Sequence, residues 1–200
     1  GSIRLLSKVT SPEISQSESF GIGVSYSNKL LTVGASGSGS AYIFESDDNG
    51  SFKFLSKVIA PENSTANGFG IDVSYSNDLL TVGAHSSTIN GVSNAGAVYV
   101  FSVEDNGSTN FLTKITSPEI NENDWFGIGV SHSDNLLAVG AISSDVGGVP
   151  NAGAVYIFKL EDNGSATFLS KISAPDKAPT DYFGMGVSYS GRLLSVGAHL

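Results

Sequence analysis

One pattern of apolar and polar positions recurs along the chain. In "FGIGVSYS" the residues Phe20, Ile22, Val24 and Tyr26 alternate with Gly and Ser, the period-two signature of a β-strand. "LLTVGA" follows from Leu30, the aromatic run "AYIF" from Ala41, and "FLSKV" from Phe54. These four runs, A to D in chain order, return with fixed landmarks. The Phe of the Phe-Gly pair falls at Phe20, Phe69, Phe126 and Phe183, giving spacings of 49, 57 and 57 residues. Gly34, Gly83, Gly140 and Gly197 of the "VGA" element keep those spacings, as do Pro12, Pro61, Pro118 and Pro175. Internal repetition is therefore the dominant signal. The short spacing is a deletion between "VGA" and the next aromatic run.

Runs B and C are apolar on both faces, with Val98 and Val100 pointing one way and Tyr99 and Phe101 the other. A sheet buried on both faces needs neighbours on both sides. Four-stranded antiparallel sheets stacked around an axis supply them, so the pattern predicts an all-β fold, a β-propeller. About four blades are expected in one domain over 1–200, with repeats near 5–53, 54–110, 111–167 and a partial 168–200. Gly1-Ser2 reads as a cloning remnant. The glycines of run A suit the innermost strand, where backbones converge. The order of runs is D, three times ABCD, then AB, which predicts fifteen strands. The last blade lacks C and D, while a lone D, "IRLLSKV", stands at the other end. Three closures are open: a section of a larger ring within a longer parent chain, two chains lending strands to each other as a homodimer, or a tight four-bladed ring.

Punctuation fits this plan. A and B are joined by Ser-Asn, Ser-Asp or Ser-Gly, a tight hairpin. C and D are joined through "DDNGS" or "EDNGS", where Asn-Gly predicts a type I′ turn. Run D carries Lys8, Lys57, Lys114 and Lys171, which on an outer strand guard an open edge against pairing with other molecules.

Composition narrows the function. Ten Lys and Arg stand against nineteen Asp and Glu, a net charge of −9. Nucleic acid and anionic membrane surfaces both require basic patches and are disfavoured as partners. The absence of Cys rules out disulfides and thiolate metal sites. No apolar run approaches the ~18 residues of a membrane span, so membrane insertion is not expected.

The set "FGxxVS…LLxVGA…GAVYVF" resembles the FG-GAP repeat, the blade unit of the integrin α-subunit head and of many large bacterial extracellular proteins. It is most similar to the short bacterial form. The resemblance implies a propeller, usually of about seven blades, an extracellular or cell-surface location, and a role in adhesion or protein interaction. It does not carry over the integrin calcium loop, D-x-D-x-D-G between A and B. Here that connection is "YSNKL", "YSNDL", "HSDNL" or "YSGRL", too short to offer six oxygens to a hard cation. No metal and no cofactor is expected.

Topology sorts the loops. In an up-and-down sheet the A–B and C–D turns share one face and the B–C and D–A loops the other. The second set holds all the length variation, including "HSSTINGVSNA", "ISSDVGGVPNA" and "TSPEINENDW". Binding residues concentrate on such loops. The D–A loops carry Glu13, Glu18, Glu62, Glu119, Glu122, Asp124, Asp176 and Asp181 against Lys177, and read either as a solvated acidic face or as a site for a cationic partner or a divalent ion. Trp125 and Tyr182 precede Phe126 and Phe183 in register; each can stack on a sugar, anchor a partner, or cap the sheet.

Candidate ligand-binding residues are thus Glu122, Asp124, Trp125, Asp145, Asp181 and Tyr182, with Asp72 added for the axis. Asp72 replaces Gly23, Gly129 and Gly186 of the other repeats, either as a neutral substitution or to face a hydrated channel. His132 takes the place of Tyr26, Tyr75 and Tyr189 and reads as a packed variant. His85 and His199 follow "VGA" with no second ligand at metal spacing. No Ser-His-Asp set or carboxylate pair has spacing support, and no catalytic residue is assigned. Asn49, Asn63, Asn106 and Asn163 begin N-x-[ST] sequons, three of which the "NGS" hairpin itself explains. The expected function is a non-enzymatic interaction module with a protein or glycan ligand on the loop face. A carbohydrate-binding propeller is the alternative, and an enzyme at the axial mouth a remote one.

Overall fold

A computed structural model describes residues 5–13, 17–62 and 67–199. Strands β1 (Phe20–Ser27), β2 (Leu30–Ala35), β3 (Ser40–Ser46) and β4 (Phe52–Ile59) form the first blade, each antiparallel to the next. β5 (Phe69–Ser76), β6 (Leu79–Ala84), β7 (Ala97–Val103) and β8 (Thr109–Thr116) form the second. β9 (Phe126–Ser133), β10 (Leu136–Ala141), β11 (Ala154–Leu160) and β12 (Ala166–Ile172) form the third. A fourth sheet holds only β13 (Val187–Ser190) and β14 (Leu193–Val196). Strand order within every sheet follows the chain, and β1, β5, β9 and β13 pack side by side as the innermost strands. This is the stacked-blade architecture of a β-propeller.

The two-faced runs explain the core. Val98 and Val100 of the second blade join Phe126, Val130 and Tyr156 of the third in one apolar cluster. Tyr99 and Phe101, on the opposite face, join Ala41, Ile43 and Val58 of the first. Each of these two clusters is therefore a seam between blades, and burying one such large side chain stabilises the fold by about 1.5–3 kcal/mol. Within each blade the aromatics close a cage: Phe69 meets Tyr99 edge-on at 5.4 Å, and Phe101 meets Phe111 at 5.7 Å.

Backbone converges toward the axis. A Cβ on Gly83 would collide with the Gly127 carbonyl of the next blade, and Gly34 and Gly140 stand in the same relation to Gly70 and Gly184. Inner-strand serines add a hydrogen bond at every seam. Ser25 Oγ accepts from the Tyr75 N–H at 3.0 Å, Ser74 Oγ from His132 at 2.9 Å, and Ser131 Oγ from Tyr189 at 2.9 Å.

Two expectations are corrected. Fourteen strands form among the described residues rather than fifteen, because the lone D run over 5–9 has no neighbouring strand to pair with. The C–D turns are not type I′. Asn49 and Asn106 keep negative φ, while Gly50 and Gly107 both sit at +80°. The Gly50 N–H donates to the Asp47 carbonyl at 3.1 Å, a type I turn with Gly in the last position. Paired positive φ occurs instead at A–B, at Asn28-Lys29 and Asn77-Asp78.

Candidate binding face

The long loops form one face, and they are folded. In the loop between β6 and β7, Ile89 and Val92 exchange backbone hydrogen bonds at 3.0 and 2.9 Å around Asn90-Gly91, which have φ of +52° and +84°. Val146 and Val149 do the same around Gly147-Gly148 in the loop between β10 and β11. Each loop is thus a miniature hairpin raised on the blade. Each also clasps the segment that enters the next blade. Asn94 and Ser93 accept from the Trp125 and Asn123 N–H groups, and Asn151 and Pro150 accept from those of Tyr182 and Thr180.

These clasps place the aromatic candidates. Trp125 is half-buried at φ +56°, with its ring edge-on to His85 at 5.7 Å. The clasp and the His85 contact hold it at the seam between the second and third blades. Tyr182 is half-buried at φ +49° at the following seam. Asp145 is exposed, and its Oδ1 accepts the Asn151 N–H at 2.8 Å, closing its own loop. Glu122 is exposed beside Trp125.

Asp124 and Asp181 are buried rather than presented to solvent, at 3% and 9% exposure. Their place, two residues before each Phe-Gly, is taken by Glu18 and Asn67 in the other repeats, both also buried. The backbone carbonyl at this position accepts an N–H just past "VGA" in every repeat: from Gly37, Ser86, Ser143 and His199. The Asp124 carboxylate accepts from Asn121 Nδ2 at 3.1 Å, and burial raises its pKa, with the charge of Asp145 adding to the effect. This recurring buried polar group ties loop to blade.

Another set of loop acids is also structural. Lys57, Lys114 and Lys171 pair with Glu13, Glu62 and Glu119 at 2.6, 2.8 and 2.6 Å. Each ammonium lies 5.2–5.7 Å from the centroid of Tyr42, Tyr99 or Tyr156. The Lys114 ammonium holds the Glu62 carboxyl below its ordinary range. The edge lysines therefore fasten the D–A loops to the blades. Glu122 and Asp176 are the D–A acids left exposed without such a bond among the described residues.

Asp72 lies apart from this face, on the inner strand β5. Its Oδ1 accepts from the Val73 N–H and its Oδ2 from the Val130 N–H of the next blade, both at 2.9 Å. The carboxylate bridges two inner strands, and burial pushes its pKa up from 3.8 to about 6. His132 is buried at 4% exposure, with neither ring nitrogen bonded, and burial lowers its pKa.

The structure thus brings Glu122, Asp124, Trp125 and Asp145 around one seam and Asp181 and Tyr182 around the next, with Asp72 separate. Among the described residues, no group of three His, Cys, Asp or Glu side chains is placed to hold a metal ion. Asn49, Asn106 and Asn163 are exposed on the opposite, turn face; Asn63 lies outside the described residues. Cavities of about 450 and 220 Å³ also lie on that turn face, lined by Lys29, Glu45 and Asp48 and by Tyr75, Asp78 and Asp105.

Comparison with solved structures supports the architecture. Sqt1 of Saccharomyces cerevisiae superposes with a TM-score of 0.53 at 15% identity, over 84% of this chain and 39% of that one. The periplasmic gluconolactonase PpgL of Pseudomonas aeruginosa gives 0.51 at 15%, over 85% and 40%. The Bacteroides fragilis protein BF1038 gives 0.54 at 17%, over 88% and 42%. The chain spans less than half the length of these propellers. No curated protein matches the sequence. The FG-GAP repeat, as a sequence family, matches over residues 52–101, 110–158 and 167–200, more than half of the chain. With the repeat matched three times and its blades formed as the pattern predicts, this chain belongs to the FG-GAP repeat family.

Proposed function

We propose that the chain is a non-enzymatic interaction module of an extracellular or cell-surface protein, and that it binds a partner protein through the loop face. The observation that carries this reading is the pre-organisation of that face. Its β6–β7 and β10–β11 loops are folded into hairpins and tied to the segment entering the next blade, so a partner meets a pre-formed surface and ordering costs are low. Glu122, Asp145 and Asp176 are exposed on the loop face that also carries the half-buried Trp125 and Tyr182. Aromatic anchors on a face with exposed acids suit a partner with a basic patch.

The test is a display selection for binders among cationic protein domains, followed by variants on each face. Glu122→Lys with Asp145→Lys weakens a loop-face binder by about tenfold or more and steepens loss at low salt, while Asp48→Lys on the turn face leaves it unchanged. Binders sensitive only to the turn-face change would sink the proposal. Trp125 and Tyr182 at equivalent seam positions also favour a glycan ligand as the second reading. Binding of a defined sugar on a glycan array, lost on Trp125→Ala, would select it.

A further inference from the structure

The seam between the second and third blades differs from its neighbours at three places. His85 follows "VGA" at its loop end, Asp72 lies on β5 along its middle, and His132 stands near its turn end on β9. Each reaches across. His85 is edge-on to Trp125, the Asp72 carboxylate accepts the Val130 N–H, and the His132 N–H donates to Ser74 Oγ. The seam before it has Ser36, Gly23 and Tyr75 at these places, and the seam after it Ile142, Gly129 and Tyr189. Side chains that titrate near neutrality are therefore gathered at one of three equivalent seams.

The two imidazoles have no bond to offer a proton. Both His132 nitrogens and His85 Nδ1 are buried without a hydrogen-bond partner among the described residues. An imidazolium at either place is a buried charge with nothing to offset its desolvation. The strands packed on β9 are β5, β6, β7, β10 and β13, and their titratable groups are Asp72, Tyr75, Tyr99 and Tyr189. Asp134, in the hairpin that follows His132, favours its charged form, but burial prevails and lowers its pKa. Burial lowers that of His85 too, and the Trp125 segment packed on it carries Glu122 and Asp124. On the first-blade side of Asp72, β1 carries only Tyr26. The contribution of each histidine is thus present above the ordinary 6.5 and is lost as pH falls below it. Asp72 has the opposite sign, because burial raises its pKa to about 6 and protonation relieves it. Down to about pH 6 the imidazoles act largely alone, and below it two groups oppose one.

We propose that this seam is an acid-sensitive joint: it is closed at neutral pH and loosens when His85 and His132 take up protons, while each blade keeps its own sheet. The loop face spans the joint. Ser93 and Asn94 belong to the second blade and hold the Asn123 and Trp125 N–H groups of the segment entering the third. Loosening parts this clasp and frees the Trp125 ring from His85, so the joint switches the shape of the face.

Trp125 is the only tryptophan of the chain and reports on this seam. Its emission and its quenching by acrylamide are followed between about pH 8 and 5, beside far-ultraviolet circular dichroism. The expected result is a red shift and about a twofold or greater rise in quenching below about pH 6, with the circular dichroism unchanged. His132→Tyr, which installs the residue of the neighbouring seams at the far end of β9 from Trp125, weakens the response. His85→Ser combined with it abolishes the response, and Asp72→Asn, which no longer takes up a proton, makes it steeper. An indole signal that does not change with pH overturns the proposal. So does a response that His132→Tyr leaves whole, which would be His85 acting on the adjacent ring alone, and so does loss of the circular dichroism at the same pH, which would be unfolding of the whole chain.

Discussion

Two ionisable side chains on the inner strands, half-buried Asp72 and buried His132, carry opposite pH signs. The Asp72 carboxyl titrates at about 6 in the fold against 3.8 unfolded, so the folded chain binds the extra proton between those values. Its contribution is fully present below pH 3.8 and is lost as pH rises through about 6. By the size of that displacement, wild type loses about 2–3 kcal/mol relative to Asp72→Asn between pH 4 and pH 7.5. Urea titrations at the two pH values check this; a pH-independent difference would contradict it. His132 runs the other way. Its folded pKa lies below the ordinary 6.5, so its contribution is present above that value and fades as pH falls below it. Tyr75, its counterpart, donates its hydroxyl to Asp78 at 3.1 Å, whereas both His132 nitrogens are buried and unbonded. His132→Tyr is expected to raise stability by about 1 kcal/mol and to remove the fading below pH 6.5, read from denaturation midpoints across that range. The sequence showed that both residues depart from their repeats. It did not show the function of Asp72, because its second amide partner, Val130, lies 58 residues away in the next blade.

At the scale of elements, the repeat pattern placed the three full blades, since alternation and landmark spacing are local properties. Turn chemistry was less legible. The dipeptide Asn-Gly occurs both at Asn49-Gly50 and at Asn90-Gly91, yet the positive φ covers Gly alone in the first and both residues in the second. Loop length decides. Five residues separate β3 from β4 and favour a type I turn ending in glycine, whereas two residues separate the bonded Ile89 and Val92 and demand type I′. Gly107→Ala should therefore be costly: its φ is +80° and a Cβ would lie 2.5 Å from Leu55 Cβ of the preceding blade. A loss of about 2 kcal/mol or more is expected in thermal or urea unfolding. A loss under half of that would show that the turn relaxes without disturbing the seam. The loop acids illustrate a second limit of sequence reading. Glu62 looks like part of an acidic surface until Lys114, 52 residues away, is seen to hold it.

At the scale of the molecule, stability in a stack of blades is the sum of each blade and its seams, so blades with two seams outlast those with one. The second blade is covered on both faces: Leu80, Val82, Val98, Tyr99 and Val100 have no exposed surface. The fourth sheet has two strands and one seam, and its strands β13 and β14 contain no buried residue. Asymmetry reaches the neighbouring blade too. Ile172 of β12 is 37% exposed, whereas Ile115 and Val58 at the equivalent positions are 5% and 2% exposed. Amide exchange in a dilute sample should accordingly be slowest in β6 and β7, faster in β1 and β12, and fastest in β13 and β14, with opening energies falling outward from the second blade. Mass spectrometry on peptic fragments resolves these segments. Equal protection in β6 and β14 would mean that the chain opens only as a single unit, and that the seams couple the blades too tightly for a nearest-neighbour description to hold.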